Sequence, residues 1–130
     1  ACALHSKEAS RHGRESMQES AAAVIAACQA DETVDALRDY RFAALFQHGS
    51  LDVGLYAPEG RDTQRPHTRD EVYVVRGGRA RFVTPEIDRP VGPGDLLFVP
   101  AHSEHRFEDM REGFSCWVLF YGPEGGEAPA

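Results

Sequence analysis

EVYVVRGGRARFVT, residues 71–84, decides how this chain is read. Two runs rich in β-branched and aromatic residues flank Gly77-Gly78, and a glycine pair between such runs predicts a tight hairpin. The same rhythm extends both ways. Upstream, RFAALFQ (41–47) and LDVGLYA (51–57) flank His48-Gly49-Ser50, and Pro58-Glu59-Gly60 opens a polar loop that ends at Pro66. Downstream, a proline-rich bend leads to Val91-Gly92-Pro93-Gly94-Asp95 and then LLFV (96–99). Pro100 marks another turn before SEHRFE (103–108), and FSCWVLFY (114–121) closes the set. About seven short strands with regular turn signals and no helix between them predict an all-β domain, a closed antiparallel barrel or jelly roll.

Residues 1–39 differ in composition. They hold no proline, and Ala, Ser, Glu and Arg dominate. A helix is expected over 16–30, with Ser16 and Glu19 as a capping box. A second short helix is expected over 31–39, where Val34 and Leu37 have helical spacing. The first dozen residues are expected to be disordered. The expected organisation is therefore a helical or partly disordered segment at 1–39, a barrel at 40–122 and a loop-like or disordered tail at 123–130.

The chain has 130 residues, enough for one domain with its own core. Its formal net charge of −7 argues against phosphate backbones and anionic membrane surfaces as partners. The apolar run at 21–28 falls well short of the roughly 20 residues that span a bilayer. Glu15 and Glu19 in front of it also make a poor signal peptide. Cys2, Cys28 and Cys116 are an odd count with no metal-binding spacing, so reduced thiols in a cytoplasmic protein are expected.

Strand parity brings out a chemical cluster. His67 and Glu71 are four apart, so in extended chain they share a face, which Tyr73 and Val75 continue. His105 and Phe107 share a face on another strand. If both faces point inward, two imidazoles and one carboxylate converge, a donor set suited to Fe(II) and related divalent ions with coordination positions left open. Burying those groups without a cation or partners would be costly.

Two segments carrying these residues resemble the motifs of the cupin superfamily. GRDTQRPHTRDEVYVVRGG (60–78) resembles the first motif, with His67 at its second His, Glu71 at its Glu and Gly78 at its closing Gly. GDLLFVPAHSEHRFED (94–109) resembles the second, with Gly94, Pro100 and His105 in place. The resemblance covers roughly 41–122 and implies a double-stranded β-helix with one divalent metal (Fe, Mn, Ni or Zn) inside. Three positions depart from the pattern. Arg65 stands at the first His and cannot ligate. His102 replaces a Gly, and Asp109 an Asn. Gln64 is the best candidate for the fourth ligand, through its carbonyl oxygen; Asp62, His102 or water are alternatives.

The resemblance implies an enzyme acting on a small organic molecule, dioxygenase- or isomerase-like, with Tyr73, His102 and Phe107 as candidate substrate-binding residues. The alternative is a non-catalytic module that binds or senses a small molecule or metal. Arg61, Arg65 and Arg69 surround the metal loop and could attract a carboxylate. An exposed sheet edge would favour a homodimer, unless the N-terminal segment covers that edge.

Overall fold

The computed structural model describes residues 21–129. One helix, α1 (Ala27–Asp35), precedes six strands: β1 (Phe42–His48), β2 (Leu51–Tyr56), β3 (Asp70–Val83), β4 (Asp88–Val91), β5 (Leu96–Val99) and β6 (Arg106–Tyr121). They pair in the order β1-β2-β6-β3-β4, with β5 also on β3. All of these pairings are antiparallel. The all-β, antiparallel architecture expected from the strand rhythm is the one observed.

The expected hairpin at Gly77-Gly78 is not there. β3 runs straight through it and pairs with β6 from Asp70↔Tyr121 to Val83↔Arg106. The register shifts between Val75 and Gly77, again by Arg79, and again by Arg81. Extra residues on β6 are absorbed where Asp109, Glu112 and Gly113 take positive φ. Gly78 has φ +72, and a Cβ there would lie 2.5 Å from Arg111 O and from the Phe114 backbone. Gly78 therefore lets the two paired strands approach closely at a bulge. A bulge and a hairpin call for the same residues, so local sequence does not separate them.

Alternation sorts the side chains into two cores. The inner one holds Tyr56, Tyr73, Val75, Phe82, Phe107, Phe114, Cys116 and Val118. The outer one lies between α1 and the strands: Ala30 and Val34 pack on Ala43, Leu55 and Ala57. β2 is thus buried on both faces. This packing also sets the helix boundaries. Residues 21–26 are not helical and Val24 is exposed, whereas Ala30 and Val34, four apart, face the sheet. Among the described residues one helix spans the junction of the two expected; residues 16–20 of the first, its capping box and the segment read as disordered lie outside the described residues. Arg41 ties the helix end to the sheet, donating to Ala57 O at 2.7 Å and to Val34 O at 3.3 Å. Asp31 pairs with Arg76 at 2.6 Å.

The tail is a loop pinned by hydrogen bonds. Gly125 N–H donates to Thr68 O at 2.6 Å. Asp70 accepts from Glu127 N–H at 2.8 Å and from Ala101 N–H at 3.0 Å. Both hydrogen bonds hold the Asp70 carboxyl below its usual pKa. Cys28 is disulfide-bonded, which corrects the expectation of reduced thiols throughout. An odd count requires one thiol left over, not the absence of a bridge, and Cys116 is a buried free thiol. Among the described residues, no helix is long and apolar enough to cross a membrane.

Gly78→Ala combines an unfavourable φ with a backbone clash and should cost at least about 2 kcal/mol. Gly49→Ala, with φ +58 but open space around it, is the control and should cost about 1 kcal/mol. Urea unfolding of both variants checks the difference.

Candidate metal centre and its cavity

Glu71 opens β3 and its side chain points inward, as do Tyr73 and Val75; all three are at most 2% exposed. His105 immediately precedes β6 and is buried, with Phe107 on the same face. Strand parity predicts both alignments. His67 reaches the same place by another route: it lies on the irregular stretch before β3. Its carbonyl accepts a 2.6 Å hydrogen bond from His102 N–H.

The three side chains converge. Glu71 Oε1 lies 3.2 Å from His105 Nε2 and 3.8 Å from His67 Nε2. Gln64 joins them, its Oε1 3.2 Å from His105 Nε2 and 3.5 Å from His67 Nε2. Donors bound to one ion at about 2.1 Å stand roughly 3.0–3.4 Å apart, so these spacings suit a common cation. The chemistry fits as well. Glu71 Oε1 is fully buried and accepts no hydrogen bond of acceptable geometry. A buried carboxylate oxygen without a well-formed hydrogen bond is costly, and a divalent ion between it and two imidazoles would remove that cost. His67, Glu71 and His105 are thus a possible metal site.

His105 Nδ1 lies 2.9 Å from Ser103 O, which only accepts, so Nδ1 carries a proton and Nε2 is the nitrogen that faces the cluster. Burial opposes the imidazolium of His105, but Glu71 and the Ser103 carbonyl outweigh it and raise its pKa. For His67, burial wins over the pull of Glu71 and lowers the pKa, favouring the neutral, ligating form.

Asp62 organises the loop. Its carboxylate accepts from Tyr56 OH at 2.6 Å, Phe107 N–H at 2.7 Å, Gln64 Nε2 at 2.8 Å and Gln64 N–H at 3.1 Å. A carboxylate only accepts, so it fixes the amide group of Gln64 outward and the carbonyl Oε1 inward. Tyr73 OH donates to that same Oε1 at 2.7 Å and lies 3.1 Å from His105 Nε2. Desolvation, then the Glu71 charge, push the Tyr73 pKa well up and keep the hydroxyl protonated. Sequence reading considered Asp62 only as a ligand. Its bonds to Gln64, two residues on, are local, whereas the one from Phe107, 45 residues away, leaves no local signal.

A cavity of about 260 Å³ adjoins the cluster, lined by Gln64, His67, Glu71 and Tyr73 together with Tyr40, Phe42, Tyr56, Val118 and Phe120. Phe42 lies flat over β2 only because Gly54 is there; a Cβ on it would stand 2.6 Å from the Phe42 ring. Of the candidate substrate-binding residues, Tyr73 lines the cavity. Phe107 lies in the core, packed on Tyr73, Phe82 and Phe114. His102 is exposed, with φ +66. It keeps the left-handed backbone expected of a glycine there, a conformation His adopts more readily than most residues. Asp109 does the same at φ +50. Arg69 is held by Asp52 at 2.7 Å and by the carbonyls of Gly122 and Ser50, while Arg61 and Arg65 face solvent.

No protein-family model matches the chain. An uncharacterized protein of Streptomyces coelicolor is 34% identical over 95 residues, covering 72% of this chain and 90% of that protein. Among solved structures, a cupin-2 domain containing protein from Shewanella frigidimarina superposes with a TM-score of 0.57 at 15% identity, over 71% of this chain and 91% of that one. DMSP lyase DddQ from Ruegeria pomeroyi gives a TM-score of 0.54 at 28% identity, over 62% of this chain and 47% of that longer one. The chain has a cupin fold.

Asp62→Ala would strand four donors at once, two of them backbone N–H groups. It should lower the unfolding free energy by about 2–4 kcal/mol, read from urea denaturation.

Proposed function

We propose that this cupin holds one divalent ion through His67, Glu71, His105 and Gln64, and that it is a metalloenzyme acting on a small organic molecule. The observation that carries this reading is the buried, unpaired Glu71 Oε1, which faces two imidazole nitrogens and an amide carbonyl. A bound Fe, Mn, Ni or Zn ion would supply Lewis acidity or, for iron, access to oxygen chemistry. The chain's own residues do the rest. His105 turns Nε2 to the cluster because Ser103 O holds the Nδ1 proton. Gln64 presents oxygen because Asp62 holds its amide. Tyr73 keeps a protonated hydroxyl beside the cluster, and the aromatic wall excludes water. Dioxygenase- and isomerase-type reactions both suit this arrangement, and similarity to a solved lyase structure supports an enzyme of this kind.

A second reading is a binding or sensing module without turnover. The hydrogen bonding of Tyr73 favours it: its hydroxyl proton is directed to Gln64 Oε1, and His102 is exposed, so neither serves the cluster as a general base. Oxygen uptake by the iron form with catechols, thiols and β-diketones separates the two readings. We infer in addition a homodimer that covers Leu96 and Phe98, which are 66% and 51% exposed on β5. Sedimentation velocity reads this directly, and a monomer at all concentrations would remove it.

Glu71→Gln and His105→Ala should each abolish stoichiometric metal uptake, measured by elemental analysis of untagged protein. Less than about a tenth of an ion per wild-type chain after metal addition would sink the site. Asp62→Asn should weaken binding by about 10–100-fold, as loss of a ligand-orienting partner does. Gln64→Ala tests the fourth ligand. Unchanged affinity in a chelator competition, with an unchanged Mn(II) or Co(II) spectrum, removes Gln64 from the set.

A further inference from the structure

The polar end of the cavity has a distinct electrical and steric character. Glu71 lines that end, the Asp62 carboxylate stands behind it, bonded to Tyr56 and Gln64, and no Lys or Arg lines the cavity among the described residues. Arg69, on the same loop, is engaged by Asp52 and backbone carbonyls. A divalent ion would bring the local charge to roughly zero. A phosphate dianion would then carry unneutralised charge into a pocket without a counter-cation.

The remaining wall is built from rings. Tyr40 packs on Tyr56 at 5.4 Å between centroids, Phe42 meets Phe120 at 6.4 Å, and Phe120 lies edge-on to His67 at 4.9 Å. The Tyr56 hydroxyl is turned to Asp62, so its ring, not a free hydroxyl, serves the wall. Rings of this kind receive another ring in tilted or offset contact. Size sets a further limit. An apolar cavity of about 150 Å³ admits benzene. The cavity here, about 260 Å³, therefore suits one six-membered ring with a short polar substituent.

Resting on the reading of this cavity as the ligand site of a metal-binding cupin, we propose that it takes compact, ring-bearing molecules, neutral or carrying one negative charge, and rejects phosphorylated ones. The ring enters against Tyr40, Phe42 and Phe120. One oxygen substituent reaches the polar donors.

The test uses the full chain, metal-free and Mn(II)-loaded, with phenol, benzoate and glucose 6-phosphate as probes in calorimetry and ligand-observed NMR. Phenol should bind both forms, because the aromatic wall does not depend on the ion. Benzoate should prefer the loaded form. Glucose 6-phosphate should bind the loaded form at least about tenfold more weakly than benzoate. Tyr40→Ala, at a position 45% exposed and so safe for folding, should weaken phenol by about threefold to tenfold with Mn(II) content unchanged. Phe42→Ala is the second variant, with circular dichroism as its folding control. Three results would overturn the proposal: glucose 6-phosphate binding as tightly as benzoate, no phenol binding to either form, or unchanged phenol affinity in both folded variants. Failure to take up Mn(II) while phenol still binds overturns the metal reading instead and leaves the ring preference standing.

Discussion

The pairing of β3 with β6 is the constraint on which the rest depends. These two long strands share a ladder from one end of the barrel to the other, and every other strand hangs on one of them or on β2. The ladder sets Glu71 opposite Phe120 and Tyr73 opposite Val118, so the carboxylate, the phenol and the cavity wall arrive together. At its far end it sets Phe82 opposite Phe107, which closes the inner core. Strands of such length stay paired around a curved barrel only by bulging. The positive-φ residues of β6 and the missing Cβ of Gly78 supply those bulges.

The loop before β3 provides the other half of the site, without a hydrogen-bonding ladder of its own. An irregular segment beside a barrel interior must find partners for its polar groups, and Asp62 supplies most of them. One carboxylate links the loop to β2 through Tyr56, to β6 through Phe107 and to Gln64 on both its backbone and its amide. The amide orientation follows from this bracing. The tail contributes too, since its hydrogen bonds to Thr68 and Asp70 flank the loop on either side of Arg69. The candidate centre is therefore held by a strand start, a strand approach and a braced loop.

Several features were legible in the residues alone. Inward alternation is local and has a period of two, so Glu71, Tyr73 and Val75 could be placed on one face, and His105 with Phe107 on another, before any fold was known. The turn signals and the cupin-like motifs pointed to the same barrel. Other features resisted. His67 reaches the cluster from a loop, where parity has no force. The helix boundaries follow from the burial of Ala30 and Val34 against Leu55, a contact between residues distant in sequence. His102 and Asp109 looked like departures in chemistry and proved to be substitutions that preserve a left-handed backbone.

By itself, then, the sequence determined the barrel class and the face on which His105, Glu71 and Tyr73 lie, because strand periodicity is written in neighbouring residues. Only the tertiary structure decided that Gly77-Gly78 lies at a bulge and not a hairpin, that the carbonyl of Gln64 faces the cluster, and that aromatic rings form the wall beside it. Those outcomes depend on what a remote strand places within a few ångströms, and no local pattern of residues encodes that distance.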